Sequence, residues 1–292
     1  MGAISILHTV FGIFGDATGL FLFLAPTITF KRIVNNKSTQ QFSGIPYPMT
    51  LLNCLLSAWY GLPFISQNNT LVTVINGTGA VIESVYVLIF ILYAPKKEKA
   101  KVLGLLTFVL AAFSTVALVS VFALHGKTRR YFCGFAAAIF SVIMYGSPLS
   151  IMTTVIRTKS VEFMPFFLSL FVFLCGTSWF VFGLLGNDPF VYVCNGFGSV
   201  LGALQLVLYA IYRKNKGQKD EKLPSENETA LEMGFVKPTA DQPPDNNGRS
   251  LFLVLGANSC NVFKNLCPCD LAVKFAIIKF GHFLLYHQLV MS

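Results

Sequence analysis

The chain has 292 residues, of which 54% are hydrophobic and only 12% are charged. Since a soluble domain carries about 25% charged residues, this composition excludes an ordinary soluble domain and indicates a membrane protein. The formal net charge of +9 would suit a protein that binds nucleic acid. The basic residues lie in short connections between apolar runs, however, so we expect no nucleic-acid partner.

Seven apolar runs of about 20 residues follow one another, and each is long enough to cross a bilayer as a helix. They lie at 8–30, 46–65, 70–93, 101–125, 131–156, 163–186 and 189–212. In lipid only helices or closed barrels satisfy the backbone, and these runs are too long and continuous for barrel strands. The sequence therefore predicts an all-α membrane protein with seven transmembrane helices.

The basic residues divide unequally between the two sets of connections. The connections after spans one, three and five and the stretch after span seven hold Lys31, Arg32, Lys37, Lys96, Lys97, Lys99, Lys101, Arg157, Lys159, Arg213, Lys214 and Lys216. The opposite connections hold only Lys127, Arg129 and Arg130. By the positive-inside rule, we expect the N-terminus outside and the C-terminus in the cytoplasm.

The two halves of the chain repeat each other. Asn76 recurs as Asn195, 119 residues later, and Pro26 recurs as Pro148, 122 residues later. Spans one to three therefore match spans five to seven, and span four has no counterpart. One extra crossing gives the second unit the same orientation as the first. The predicted units are a first three-helix repeat (1–95), a linker helix (96–127) and a second three-helix repeat (128–216).

Several long strings match a known family in order and in both halves. "LAPTITF", "KSTQQFSGIPYPMTLLNCLLSAWYGLPF", "INGTGAVIE", "SPLSIM" and "NGFGSVLGALQ" resemble the plant SWEET sugar transporters, most closely the hexose-preferring subgroup. SWEET proteins are an example of parallel repeats with a site between them near the midplane. The resemblance implies a 3+1+3 helix arrangement and bidirectional facilitated transport of monosaccharides such as glucose, with no cofactor and no enzymatic activity.

Four polar residues from four spans reach a similar depth when the outer face is placed at Ser66, Asn69 and Asp188. At 1.5 Å rise per residue, Asn76 and Asn195 lie about 10 Å inside, and Ser57 and Trp179 about 12–14 Å inside. Amides offer donors and acceptors to sugar hydroxyls, and an aromatic face can cover a sugar ring. A single Asn in a span is often only an interhelical bond, but a matched pair favours a site.

The resemblance implies roles for these and further residues. Ser57, Asn76, Trp179 and Asn195 would line the pocket, with Asn53 and Cys175 as neighbours one turn toward the cytoplasm. Four prolines, Pro26, Pro46, Pro148 and Pro165, would form hinges of an inner gate. Tyr60 and Asp188 match outer-gate positions. The loop "SQNNT" before span three lacks the basic residue of some relatives, so we expect hydrogen bonds in place of an ionic outer gate.

Asp16 and Glu83 lie within spans, where carboxylates are candidates for function. Either could bind a coupling proton, so a proton-coupled sugar symporter is an alternative, as is a seven-span receptor. Glu83 has no repeat partner, because Gly202 occupies the matched position. Facilitated diffusion is the preferred interpretation, and no cysteine spacing indicates a metal site.

The rest of the chain differs in character. Residues 217–250 are polar and mixed in charge, so a disordered cytoplasmic tail is predicted. Residues 251–292 form an atypical apolar extension that the resemblance does not cover. We further expect a lipid bilayer around the spans, location in the plasma membrane and assembly into a homo-oligomer.

Overall fold

The computed structural model describes residues 2–40, 42–162 and 164–213. The helices of this part of the chain are α1 (Gly2–Leu24), α2 (Thr27–Asn36), α3 (Pro46–Tyr60), α4 (Thr70–Tyr93), α5 (Lys96–Phe122), α6 (Gly126–Met144), α7 (Gly146–Thr158), α8 (Phe166–Leu185) and α9 (Pro189–Tyr212). The predictions for 217–250 and 251–292 lie outside the described residues.

The helices account for the seven predicted crossings. Six helical segments within the described ranges are long and apolar enough to cross a membrane: Gly2–Asn36, Thr70–Tyr93, Lys96–Phe122, Gly126–Thr158, Phe166–Leu185 and Pro189–Tyr212. The second crossing is α3, whose 15 residues extend about 23 Å at 1.5 Å per residue. The predicted all-α, seven-span fold is confirmed.

The first and fifth crossings are each broken into two helices. Pro26 lies between α1 and α2, and Pro148 lies two residues after the start of α7. Proline lacks a backbone N–H and its ring collides with the preceding turn, so both breaks have a local cause. We had predicted continuous spans with proline near their ends, and the structure replaces each with a helix pair.

Equivalent helices of the two halves pack in equivalent ways. Helix α4 packs against α1 and α3, and α9 packs against α6 and α8. Between the halves, α1 packs on α8 and α3 packs on α6. The linker helix α5 packs against α3, α4 and α6. The third crossing of each half, α4 or α9, is therefore central to that half.

Small residues let α1 approach α8 closely. The buried positions of α1 are Gly12, Gly15, Thr18 and Gly19. A Cβ added to Gly15 would lie 2.9 Å from the indole of Trp179, which is too close without rearrangement. Glycine at this position therefore positions the aromatic side chain of α8 directly on the α1 backbone.

The molecule has two ends that differ in composition. The Asp188 end consists of the connections 61–69 and 186–188. The proline end carries Pro26, Pro46, Pro148 and Pro165. At the proline end, each half has its own apolar cluster of buried residues: the Phe30 cluster (Phe30, Ile33, Tyr47, Tyr86, Val87, Phe90, Ala94, Val102) and the Val155 cluster (Val155, Val161, Met164).

Candidate functional site

Asp188 is a buried carboxylate that begins α9. Its side chain is the N-cap, and Oδ1 accepts hydrogen bonds from the backbone N–H groups of Phe190 (3.1 Å) and Val191 (3.3 Å). A carboxylate in this position satisfies two of the unpaired N–H groups of the first turn and interacts favourably with the helix dipole. Asp188 is only 1% exposed, so burial of its carboxylate is stabilised by such hydrogen-bond partners.

The second oxygen of Asp188 joins the two halves of the protein. Oδ2 accepts hydrogen bonds from Tyr60 Oη (2.6 Å), Ser66 Oγ (3.2 Å), Asn69 Nδ2 (2.6 Å) and Arg130 Nη2 (3.0 Å). Three of these donors belong to the first half. Asn69 is the repeat counterpart of Asp188, so the two equivalent positions meet directly. The network holds both halves together at this end.

Arg130 corrects one expectation. The sequence predicts hydrogen bonds alone at the expected outer gate, because the loop before α4 lacks a basic residue. The structure instead shows an ion pair of 3.0 Å between Arg130 and Asp188. The cation comes from the N-terminal part of α6, not from the loop before α4. A signal was present in the sequence, since Arg130 is one of the few basic residues on that side.

Asn76 and Asn195 occupy equivalent places on α4 and α9. Each donates from Nδ2 to the backbone carbonyl four residues earlier, Val72 and Val191 respectively, and both distances are 2.9 Å. Both side chains are half-buried. Since each amide has two donors and a carbonyl oxygen, this single local bond leaves hydrogen-bonding capacity for a ligand.

Trp179 and Cys175 lie together on α8 against α1. Trp179 is 6% exposed and meets Phe182 edge-on at 5.0 Å between ring centroids. The Sγ atom of Cys175 lies 3.9 Å from the carbonyl oxygen of Gly15, the glycine that also faces Trp179. Two of the predicted site residues therefore share one contact surface on the opposite half.

Asn53 and Ser57 lie one turn apart on α3. Asn53 Oδ1 accepts a hydrogen bond of 2.9 Å from Ser141 Oγ on α6, so this bond also crosses between the halves. Ser57 is half-buried, and its backbone carbonyl accepts the N–H of Gly61 at the end of α3. No hydrogen bond within the described residues joins the side chains of Asn53 and Ser57 to the two repeated amides.

The four prolines occupy two kinds of structural position, helix starts and helix breaks. Pro46 is the first residue of α3 and Pro165 is the N-cap of α8, positions where a missing N–H has no intrahelical partner to lose. Pro26 and Pro148 mark the two helix breaks. The pairs are equivalent by the repeat, but only the second pair interrupts a crossing.

Among the described residues, the two intramembrane carboxylates take no part in the hydrogen bonds of Asp188. Glu83 is 3% exposed, and its Oε2 has no hydrogen-bond partner among the described residues. The same holds for Oδ1 of Asp16. Within the described ranges, His, Cys, Asp and Glu side chains form no group of three suited to a metal ion.

This fold and site define a class: a multi-pass membrane transporter with two parallel three-helix repeats. Residues 9–98 and 131–217 match the model of a family described as "Sugar efflux transporter for intercellular exchange". The chain belongs to this family, and its curated relatives carry the name SWEET.

The matches cover most of the described chain. The bidirectional sugar transporter SWEET1 of Arabidopsis thaliana is 74% identical over 74% of this chain and 87% of its own length. SWEET1a of Oryza sativa subsp. japonica is 60% identical over 78% of this chain and 83% of its own. A solved structure of a eukaryotic SWEET transporter aligns with a TM-score of 0.71 and 45% identity, covering 73% of this chain and 100% of that one.

Proposed function

We propose that the protein is a bidirectional uniporter that moves monosaccharides such as glucose down their gradient by alternating access. The observation that carries this proposal is the 74% identity over 215 residues to a relative named as a bidirectional sugar transporter. The neutral character of the candidate site agrees, because a neutral polyol needs donors and acceptors without net charge.

The proposed sugar site lies between the halves, midway between the two ends. Asn76 and Asn195 would bind hydroxyls, Trp179 would cover the sugar ring and Ser57 would leave room for one ring. Asn53 and Cys175 are weaker neighbours one turn further from the Asp188 end. The two amides make the same local hydrogen bond, from Nδ2 to the carbonyl four residues earlier, so both side chains are held in the same way. This equivalence supports a shared role.

The Asp188 end is the proposed outer gate. Tyr60 and Asp188, with Arg130 added by the structure, would close the path to the outside. Pro26, Pro46, Pro148 and Pro165 would act as hinges at the cytoplasmic end. This orientation places the N-terminus outside and agrees with the distribution of basic residues. The plasma membrane and a homo-oligomer remain part of the proposal.

One observation favours a second candidate function. Glu83 is buried with an unpartnered oxygen, as expected of a carboxyl group that could carry a proton. A proton-coupled symporter would accumulate sugar against its gradient and would lose that ability with an uncoupler. The uniporter proposal expects neither behaviour.

Uptake of radiolabelled glucose by a transport-deficient yeast that expresses the chain tests the proposal, with sucrose measured in parallel. We expect glucose to equilibrate across the membrane, faster than sucrose and independently of an uncoupler. Export from preloaded cells should follow the same saturation behaviour. Absence of glucose flux in both directions, with the protein present at the cell surface, would contradict the proposal.

A further inference from the structure

The two helix breaks at the proline end are held in different ways. We propose that Tyr86 is a positioning residue that fixes α2 to the rest of the first half, so that α7 alone is the moving arm of the inner gate. This inference rests on the proposed alternating access. It goes beyond it because the repeat by itself implies two equivalent hinges.

Tyr86 on α4 bridges the break at Pro26. Its hydroxyl donates to the carbonyl oxygen of Phe23, in the last turn of α1, at 3.1 Å. The same oxygen lies 2.8 Å from Oγ1 of Thr27, the first residue of α2, which can donate to it. One hydroxyl group on a third helix thus bonds to both sides of the break.

Packing adds to this bridge. The ring of Phe30 on α2 stacks on the Tyr86 ring at 4.3 Å with an interplanar angle of 8°. Phe30 also meets Tyr47 of α3 edge-on at 4.8 Å. Phe30 and Ile33 are 3% and 0% exposed within the Phe30 cluster. Helix α2 is therefore held directly by α3 and α4, and Val102 of α5 belongs to the same cluster.

The second half does not repeat this bridge, since the counterpart of Tyr86 is Gln205, 119 residues later. The counterpart of Thr27 is Leu149, 122 residues later, and leucine has no hydroxyl group. The counterpart of Phe23 is Tyr145, whose hydroxyl donates to the backbone carbonyl of Cys194 on α9 at 2.8 Å. Tyr145 is the residue at the break between α6 and α7. Its side chain connects that break to α9, and among the described residues no equivalent bond connects it to α7.

Helix α7 also has fewer fully buried residues than α2. Val155 is the buried residue of its 13, whereas Thr29, Phe30 and Ile33 are buried among the 10 residues of α2. The Val155 cluster contains no aromatic stack on α7 comparable with the Phe30–Tyr86 pair among the described residues. Elements with few buried contacts open at the lowest free energy, so α7 is the element suited to move.

The test compares amide hydrogen exchange of residues 27–36 and 146–158 in the full chain reconstituted in vesicles. Exchange is followed with saturating D-glucose and with L-glucose as a non-substrate control, and D-glucose uptake is measured in the same vesicles. In the wild type, we expect D-glucose to change exchange of 146–158 and to leave 27–36 unchanged. An equal response of both segments in vesicles that transport glucose would overturn the assignment.

Two variants remove the bridge with little change of shape. Tyr86→Phe keeps the stack on Phe30, and Thr27→Val keeps the branched side chain. In each variant, we expect amide exchange of 27–36 to become sensitive to D-glucose. The exchange rate of this segment should rise roughly two- to tenfold above that of the wild type, because one hydrogen bond contributes about 0.5–1.5 kcal/mol. Tyr145→Phe is the matched control, because it removes a hydroxyl group at the other break and should leave 27–36 unresponsive.

The outcomes separate the two proposals. Glucose uptake with an unresponsive 27–36 segment in Tyr86→Phe and Thr27→Val would overturn the role of Tyr86 and leave the transport proposal intact. Absence of uptake together with no response of either segment would contradict the transport proposal, and the arm assignment with it.

Discussion

The two ends of the molecule differ in whether their main contacts cross between the halves. At the Asp188 end, residues of both halves converge on a single carboxylate oxygen that accepts four hydrogen bonds, one of them from Arg130. At the proline end, the Phe30 cluster belongs to the first half with the linker helix, and the Val155 cluster belongs to the second. Polar bonds cross between halves at one end, and apolar packing stays within halves at the other.

This difference indicates which end is closed in the structure. Breaking the Asp188 network would leave a buried charge with fewer partners, which is costly in a low-dielectric environment. Separate apolar clusters can move apart without losing their internal contacts. The structure is thus consistent with a transporter closed at the Asp188 end, and the following variants test that interpretation in order of expected effect.

The largest effect should come from the residues between the two ends. Asn76→Ala and Asn195→Ala each remove an amide that the proposed site offers to a sugar hydroxyl. We expect each to lower glucose uptake by at least about tenfold, because 1.4 kcal/mol of lost transition-state binding corresponds to a factor of ten. Uptake of radiolabelled glucose, normalised to surface protein, measures this effect.

Thr78→Ala is a matched control on the same helix. Its hydroxyl is exposed and bonds only to the carbonyl of Val74 in its own helix, so uptake should be retained. Uptake at the wild-type level in both asparagine variants would contradict the proposed sugar site midway between the ends. The difference between the two ends would then have no demonstrated connection with transport.

The next effect concerns closure of the Asp188 end. Asp188→Asn keeps an N-cap for α9 but removes the charge that pairs with Arg130. Hydrogen bonds to a charged group contribute about 1.5–3 kcal/mol, so the closed state should lose roughly ten- to a hundredfold in population. We expect a lower maximal rate of glucose transport, with a smaller change in KM.

Glu162→Gln serves as the control for charge, because it removes one exposed carboxylate near the proline end. Its transport kinetics should match those of the wild type. Equal effects of Asp188→Asn and Glu162→Gln would mean that net charge matters and that the buried network does not.

The sequence predicted the fold well because the signals were long and repeated. Seven apolar runs and offsets of 119 and 122 residues defined the crossings and their pairing, and the structure agrees. Tyr60 and Asp188 were singled out together from the resemblance, and they are bonded at 2.6 Å.

Other features depended on contacts between residues far apart in the chain and could not be predicted. Arg130, near the start of α6, reaches Asp188 across 58 residues, and this pairing is set by tertiary packing that no local pattern records. The breaks in the first and fifth crossings were also missed as breaks. Proline weakens a helix locally, but whether it bends or interrupts the helix depends on the packing around Pro26 and Pro148.

A third prediction tests how tightly the Asp188 end is attached to the helices beneath it. A Cβ added to Gly183 would lie 2.5 Å from the backbone nitrogen of Tyr192, and backbone cannot turn aside as a side chain can. The carbonyl of Gly183 also accepts the N–H of Asp188. We expect Gly183→Ala to destabilise the protein by about 1–3 kcal/mol through overpacking, seen as a lower Tm in detergent.

Gly77→Ala is the corresponding control for stability. An added Cβ there meets no atom within 4 Å. Since alanine in a helix is more stable than glycine by about 0.5–1 kcal/mol, its Tm should be unchanged or slightly raised. A Tm of Gly183→Ala as high as that of Gly77→Ala would show that α8 and α9 are not packed as closely as described.

The smallest effect should come from the linker helix, which belongs to neither end. Span four had been assigned a topological role only, yet Ser120 of α5 is fully buried and accepts a hydrogen bond of 3.0 Å from Trp59 Nε1 on α3. Hydrogen bonds between membrane helices average about 0.6 kcal/mol, so Ser120→Ala should lower Tm slightly. Thr115→Ala, at an exposed residue that bonds only within α5, should lower it less. Equal Tm values of Ser120→Ala and Thr115→Ala would mean that apolar packing alone attaches the linker to the first half. The polar contacts that stabilise the fold would then be those of Asp188.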